Sequence, residues 1–303
     1  MNAVDLFSGC GGMSLGFKEA GFNVVAAFDN WKPAVEIYEA NFDQPIFLKD
    51  LSDSDASDLV ASFHPDIIIG GPPCQDYSIA GKRQLGKRAN LTVRFAQIVA
   101  EVQPSWAVFE NVYNIERFGT LPELESILSG SGYGLTEKIL DASLCGVPQT
   151  RKRFFLIAHK DDQDGFLEET LVSGLSDTPM TVRDYLGDKL QTQYYYMHPR
   201  SYARRAVFSV DEPSATIRGI NRPIPPNYKH HPADAAKIED GVRSLTTKER
   251  SYIQTFPEEF NLPGTKTNVE LAIGNAVPPL LARYVANSIT SYVKVDERKH
   301  DPT

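Results

Sequence analysis

The sequence predicts an α/β fold, with a parallel sheet flanked by helices over the first 160 residues and a smaller, irregular, β- and loop-rich region after them. Three observations carry this. Short apolar runs alternate with amphipathic segments as far as His159, the pattern of strands joined by crossover helices. The first run ends in a glycine-rich turn, Ser8-Gly9-Cys10-Gly11-Gly12, that opens an amphipathic segment. Beyond His159 the alternation stops, replaced by consecutive tyrosines (Tyr194, Tyr195, Tyr196) and scattered prolines.

Strands are expected at Ala3–Phe7, Asn23–Phe28, Pro45–Leu48, Asp66–Ile69, Trp106–Phe109, Leu135–Leu140 and Phe154–His159. Helices are expected at Ser14–Ala20, Pro33–Asn41, Ser54–Ser62, Asn90–Val102 and Leu121–Ser129. Pro33 suits a first helical turn, where its missing N–H is no loss. A helical pattern returns at Thr246–Thr255, and Pro278–Val293 reads as a helix packing back on the first region. The chain therefore divides into residues 1–160, 161–245 and 246–303.

At 303 residues the chain suits one large domain and a smaller one. No apolar run approaches the ~18 residues of a membrane span, and the N-terminus has no basic segment followed by an apolar stretch, so neither a span nor a secretory leader is expected. Three cysteines (Cys10, Cys74, Cys145) without metal-type spacing suggest reduced thiols, a cytoplasmic setting and no bound metal. The net charge of −8 is unevenly spread. Tyr77 to Ala100 holds five bases and no acid, and His198 to Gln254 holds ten Lys/Arg against six Asp/Glu, whereas Lys160 to Tyr196 holds eight acids against three bases. This segregation is that of a protein with one anion-facing cleft and an acidic back.

The turn Phe7-Ser8-Gly9-Cys10-Gly11-Gly12 lets a ligand approach the backbone and leaves amides free at a helix start. Asp29 ends the second strand and Asp50 follows the third, where carboxylates can receive ribose hydroxyls and an adenine amino group. The glycine spacing is not G-x-G-x-x-G, which argues against a nicotinamide dinucleotide. At the other end of the site, Ile67-Ile68-Ile69 runs into Gly70-Gly71-Pro72-Pro73-Cys74-Gln75. Two prolines stiffen this elbow and present one thiol at a strand end. Glu110-Asn111-Val112 follows the apolar run Trp106–Phe109, so burial is expected to raise the Glu110 pKa. Gln149-Thr150-Arg151-Lys152-Arg153 brings guanidiniums that suit a carboxylate or a phosphate.

Taken in order, these segments resemble the DNA (cytosine-5)-methyltransferases of bacterial restriction-modification systems. Asp5-Leu6-Phe7-Ser8-Gly9-Cys10-Gly11-Gly12 resembles the S-adenosylmethionine loop, Gly71-Pro72-Pro73-Cys74-Gln75 the nucleophile motif, and Glu110-Asn111-Val112 and Gln149 to Arg153 the next catalytic motifs. Arg205 with Pro213-Ser214-Ala215-Thr216 resembles the segment organising the target-recognition domain, and Gly274-Asn275-Ala276-Val277-Pro278-Pro279 the closing motif.

The resemblance implies a Rossmann-like methyltransferase domain, a small target-recognition domain, S-adenosyl-L-methionine as cofactor and duplex DNA as partner. It makes Cys74 the nucleophile at carbon-6 of a flipped cytosine, assisted by Glu110 and Arg153 with Asn111 and Arg151 nearby. Cofactor contacts are expected from Phe7, Gly9, Cys10, Gly11, Gly12, Asp29, Asn30, Trp31, Asp50, Leu51, Pro73, Leu91, Asn275, Ala276 and Val277. DNA contacts are expected from Gln75, Ser78, Lys82, Arg83, Lys87, Arg88, Arg205, Thr216 and Arg218, with Ser78–Arg94 as a closing loop and Arg151 near a phosphate. Asn30 departs from the family, which often has its adenine-contacting side chain directly after the acid. The short stretch between Arg153 and Arg205 suits a short DNA target. A monomer acting in the bacterial cytoplasm on nucleoid DNA is expected, with a cognate restriction endonuclease able to act on the same site. A tRNA-type cytosine methyltransferase is the nearest rival, but the nucleophile motif continues Asp76-Tyr77-Ser78 and no Cys-Phe-Thr step occurs. A catalytically idle DNA-binding relative and a hydride-transfer oxidoreductase are weaker rivals, given Cys74, Glu110 and the glycine spacing.

Overall fold

The computed structural model describes residues 1–73, 91–201 and 203–300, without the side chains of Phe118 and residues 296–300. In chain order, β1 (Asn2–Leu6), α1 (Gly12–Glu19), β2 (Asn23–Asp29), α2 (Lys32–Glu39), β3 (Ile46–Leu48), α3 (Ala56–Ala61), β4 (Ile67–Gly70), α4 (Leu91–Val102) and β5 (Trp106–Val112) alternate as expected. Then follow α5 (Leu121–Gly130), β6 (Tyr133–Asp141) and β7 (Lys152–Lys160). The seven strands form one sheet in the order β3-β2-β1-β4-β5-β7-β6. Strand order reverses between β1 and β4, and open α/β sheets form their crevices at such switch points.

The sheet departs from the all-parallel expectation at β7, which is antiparallel to both β5 and β6. The reason is length. Only residues 142–151 separate β6 from β7, and a parallel return needs a crossover of a dozen or more residues. The reversal matters because it carries the start of β7 to the carboxyl ends of β4 and β5.

Helices cover both faces. One core holds Phe17, Val108, Phe155 and Ile157 with Leu281, Val285 and Ile289, and the other holds Phe28, Phe95, Ile98, Phe109 and Phe154. The later chain adds α6 (Glu168–Ser173), α7 (Val182–Leu186) and a small sheet of β8 (Tyr194–Tyr196), β9 (Val207–Ser209) and β10 (Arg243–Ser244) in the order β10-β8-β9. It closes with α8 (Thr247–Ile253), α9 (Lys266–Asn275) and α10 (Pro279–His300). The short α6 and α7 give no readable period, and α9 buries Val269, Ala272 and Ile273 with a glycine, Gly274, inside its last turn. A third core joins Ile37, Tyr38 and Phe42 to Tyr195, Phe208, Ile217, Ile253 and Ile273, so the small sheet packs directly on the first region. Among the described residues no helix is long and apolar enough to cross a membrane.

Candidate active site

The register of β5 and β7 builds the central pair. Glu110 opposes Phe155, and Val112 opposes Arg153. Residues two apart on a strand share a face, so Glu110 and Arg153 are diagonal neighbours. Arg153 Nε lies 3.0 Å from Glu110 Oε1. Glu110 is only 7% exposed. Burial pushes its carboxyl above the usual range, while the charges of Arg153 and Arg151 act in the opposite sense. On the other face of β5, Asn111 Nδ2 donates to the Pro72 carbonyl at 3.1 Å, and its Oδ1 accepts the Val112 amide, fastening the proline elbow to β5. Gly71 faces the acid closely: a Cβ added there would stand 2.8 Å from Glu110 Oε2.

The glycine turn after β1 closes on Asp29. Asp29 accepts the Gly9 amide on Oδ2 and the Trp31 amide on Oδ1, both at 2.8 Å. Burial raises its pKa, and those amides oppose the rise. Asp5, in the middle of β1, is 1% exposed. Its Oδ2 accepts from Ser14 Oγ at 2.6 Å, and its Oδ1 has no hydrogen-bond partner among the described residues. Burial, against the Ser14 hydrogen bonds and with the Asp29 charge, lifts this carboxyl to about 7.

These groups share one cavity of about 540 Å³, within the ~300–1,000 Å³ typical of small-ligand sites. Its walls include Phe7, Gly9, Asp29, Asn30, Trp31, Pro73, Leu91, Asn275, Ala276 and Val277 from the expected cofactor set, together with Glu110, Asn111 and Arg153. Asp5, Ser8, Gly71 and Pro72, which belong to the motifs without an expected contact of their own, also line it, as do Met13, Leu271 and Ala272. Asp5 had a readable signal, as an acid inside an apolar strand.

Five expected cofactor residues lie off the cavity wall. Cys10 is buried behind the turn with Sγ 3.6 Å from the Ala272 carbonyl oxygen, and burial lifts its thiol to about 12. Gly11, at φ 91°, would drive a Cβ into the Phe42 ring, and a Cβ on Gly12 would strike the Val277 carbonyl oxygen. Close packing, not ligand approach, therefore requires glycine at these two positions. Leu51 is buried in the same core as Phe28. Asp50 receives the Ser52 amide and hydroxyl on its Oδ1 and does not line the cavity.

Arg151 departs from its expected place near a phosphate. It is 1% exposed, and its guanidinium donates to the carbonyls of Ile217 (2.9 Å), Gly274 (3.0 Å) and Ala276 (2.9 Å). It clamps the segments at 217 and 274–276 to the start of β7. Gln149 works beside it, accepting the Ile217 amide at 2.8 Å and donating to Gln254 at 2.7 Å. The basic stretch also divides differently. Arg94 sits in α4, donating to the Leu51 carbonyl and pairing with Glu101. Cys74, Gln75, Ser78, Lys82, Arg83, Lys87 and Arg88 lie outside the described residues.

A second cavity, of about 770 Å³, adjoins the first and shares Val112 and Arg153 with it. Arg205, Thr216 and Arg218, three of the residues expected to contact DNA, line it together with His198, Arg200 and Arg204. Among the described residues no cluster of His, Cys, Asp or Glu could hold a metal.

Fold and site together define a Rossmann-like α/β protein in which a cavity at the sheet's switch point holds a buried carboxylate–guanidinium pair and opens beside a guanidinium-lined cleft. The chain belongs to the C-5 cytosine-specific DNA methylases, whose family model matches residues 1–291. It is a DNA (cytosine-5-)-methyltransferase. It is 54% identical to the Type II methyltransferase M.HindV of Haemophilus influenzae, covering 97% of this chain and 98% of that protein. It is 53% identical to M.HgiDI of Herpetosiphon aurantiacus, covering 97% and 95%. Its fold is shared with the S. pombe Dnmt2 methyltransferase (TM-score 0.72, 19% identity, 97% and 98% covered).

Proposed function

We propose that the enzyme transfers a methyl group from S-adenosylmethionine to carbon-5 of a cytosine flipped out of a short duplex DNA sequence, through a covalent Cys74 adduct at carbon-6. One observation carries this reading: the acid-lined end of the first cavity and the Glu110–Arg153 pair share a single space, which meets a guanidinium-lined cleft at Arg153. The fit to the cofactor rests on Asp29, whose carboxylate retains lone pairs for ribose hydroxyls, and on the unpartnered Asp5 Oδ1 beside the turn. Phe7, Trp31 and Val277 supply its apolar walls. When bound, S-adenosylmethionine supplies an electrophilic methyl group.

Carbon-5 of cytosine is a poor nucleophile until a thiolate adds at carbon-6. Of the three cysteines, Cys10 and Cys145 are buried with thiols lifted to about 12, which keeps them protonated. Cys74 remains, directly after the elbow that Asn111 holds by the Pro72 carbonyl. Glu110, its carboxyl raised by burial, shares a proton with ring nitrogen-3 as charge develops there. Arg153 orients Glu110 and reaches the base carbonyl. Loss of the carbon-5 proton to water, with the C–H electron pair re-forming the ring double bond as the Cys74 thiolate is expelled, completes the cycle. Flipping the base costs a few kcal/mol, which contacts in the second cleft offset.

The enzyme acts as a monomer in the bacterial cytoplasm, and the Type II names of its relatives suggest a restriction endonuclease able to act on the same site without direct contact. The test is incubation with methyl-labelled S-adenosylmethionine and either duplex DNA or tRNA. Label in DNA as 5-methylcytosine is expected. Label in tRNA alone would overturn the reading.

A further inference from the structure

The second cavity carries six cations on its wall, Lys152, Arg153, Arg200, Arg204, Arg205 and Arg218, and no carboxylate lines it among the described residues. Most of these groups are held in place. Arg153 pairs with Glu110, and Arg205 pairs with Glu212 while its guanidinium stacks 4.4 Å above the Phe208 ring. Arg218 donates to the His198 carbonyl, and the Arg218 carbonyl accepts from the buried Arg250. Arg200 and Arg204 differ. Both are exposed, and among the described residues neither has a carboxylate within ion-pair distance. Their charges bear on Arg218, so the cluster is mutually repulsive as it stands.

Such a cluster suits an acceptor-rich ligand, and its surroundings select which. Met197, Pro199, Phe208 and Ala215 line the same wall. Guanidiniums meet phosphates and base edges alike, so the apolar surface around these is what favours a base edge over a phosphate. Guanine presents N7 and O6, two acceptors matched to the arginine fork. Because the cavity meets the first at Val112 and Arg153, whatever fills it lies next to the base handled by Glu110.

We propose that Arg200 and Arg204 are specificity-determining residues that read guanines flanking the target cytosine, each through a bidentate contact to N7 and O6, on a frame fixed by Arg205 and Arg218. This rests on the proposed function. Each of these two guanidiniums accounts for one guanine in the recognised sequence.

The test methylates a duplex library with randomised positions around a fixed cytosine, then sequences it after conversion of unmethylated cytosine. The wild type is expected to select guanine at two or more flanking positions. Arg200→Ala and Arg204→Ala are each expected to relax one of them, by about 5- to 150-fold. Arg204→Lys keeps the charge without the fork and is expected to relax the same position as Arg204→Ala. An unchanged motif, with methylation weakened evenly and the salt dependence shallower by about one ion per arginine, would assign these residues to phosphates and overturn the proposal. So would a wild-type motif without flanking guanine. If the wild type methylates no DNA at all, the proposed function falls first and takes this assignment with it.

Discussion

A single methyl group added at Gly71 tests the acid directly. Its Cβ would stand 2.8 Å from Glu110 Oε2, against a comfortable non-bonded separation of ~3.5 Å. The carboxylate must therefore retreat by ~0.7 Å, and it cannot do so freely, because Arg153 Nε holds its other oxygen at 3.0 Å. Misplacement of a reacting group by ~1 Å costs on the order of 100-fold. Gly71→Ala is accordingly expected to slow single-turnover methylation of duplex DNA by ~10- to 100-fold, or ~1.4–2.7 kcal/mol of barrier. Overpacking should cost ~1–3 kcal/mol of stability, so the protein stays folded at moderate temperature. Affinity for S-adenosylmethionine, which the proposed function assigns to Asp29 and the turn, should change little by titration calorimetry. A folded variant with the wild-type single-turnover rate would refute the reasoning, and so would a loss confined to cofactor affinity.

Three further outcomes follow from the same groups. Glu110→Gln is expected to lower the turnover rate by ~10²–10⁴-fold. In the wild type, activity that needs Glu110 protonated persists below its raised pKa and falls as pH climbs through it; a pH–rate profile of the Gln variant that kept this alkaline limb would assign it to another group. Asp29→Ala removes the acceptor of the Gly9 and Trp31 amides and should weaken S-adenosylmethionine binding by ~10- to 100-fold at ~1.5–3 kcal/mol per charged hydrogen bond, whereas unchanged calorimetric affinity would place the nucleoside elsewhere. Asp5 has a folded pKa raised from 3.8 to about 7, so the folded state binds the extra proton between these values. Its contribution is full below pH 3.8 and is lost as pH rises through 7, by at most about 4 kcal/mol. Asp5→Asn should flatten that part of the denaturation-versus-pH curve, and an unaltered slope would contradict the assignment.

The first 160 residues are legible because most strands are short apolar runs and the longer helices amphipathic, patterns that one sheet with covered faces imposes directly. The reversal of β7 was not written in periodicity. It followed from the ten-residue link after β6, a matter of chain reach. Glu110 and Arg153 could each be picked out as a residue type at a strand end, but their diagonal pairing depends on that reversal. Arg151 misled for a related reason: a guanidinium in a basic run reads as solvated, and only the fold brings three carbonyls around it. The glycine run at Gly11 and Gly12 suggests room for a ligand, whereas Phe42 and the Val277 carbonyl occupy that space. Arg200 and Arg204 stayed hidden in a region without period, where the excess of bases was countable but its placement was not.

The central claim is that Cys74 forms a covalent bond to carbon-6 of the target cytosine. Its most direct test uses duplex DNA with 5-fluorocytosine in place of cytosine, since fluorine cannot leave as a cation and the adduct must accumulate after methyl transfer. The account predicts a denaturation-resistant protein–DNA species that needs S-adenosylmethionine, maps to Cys74 by peptide mass spectrometry and is missing in Cys74→Ser. Methylation of ordinary DNA with no trapped species, or an adduct mapping to Cys10 or Cys145, would contradict it.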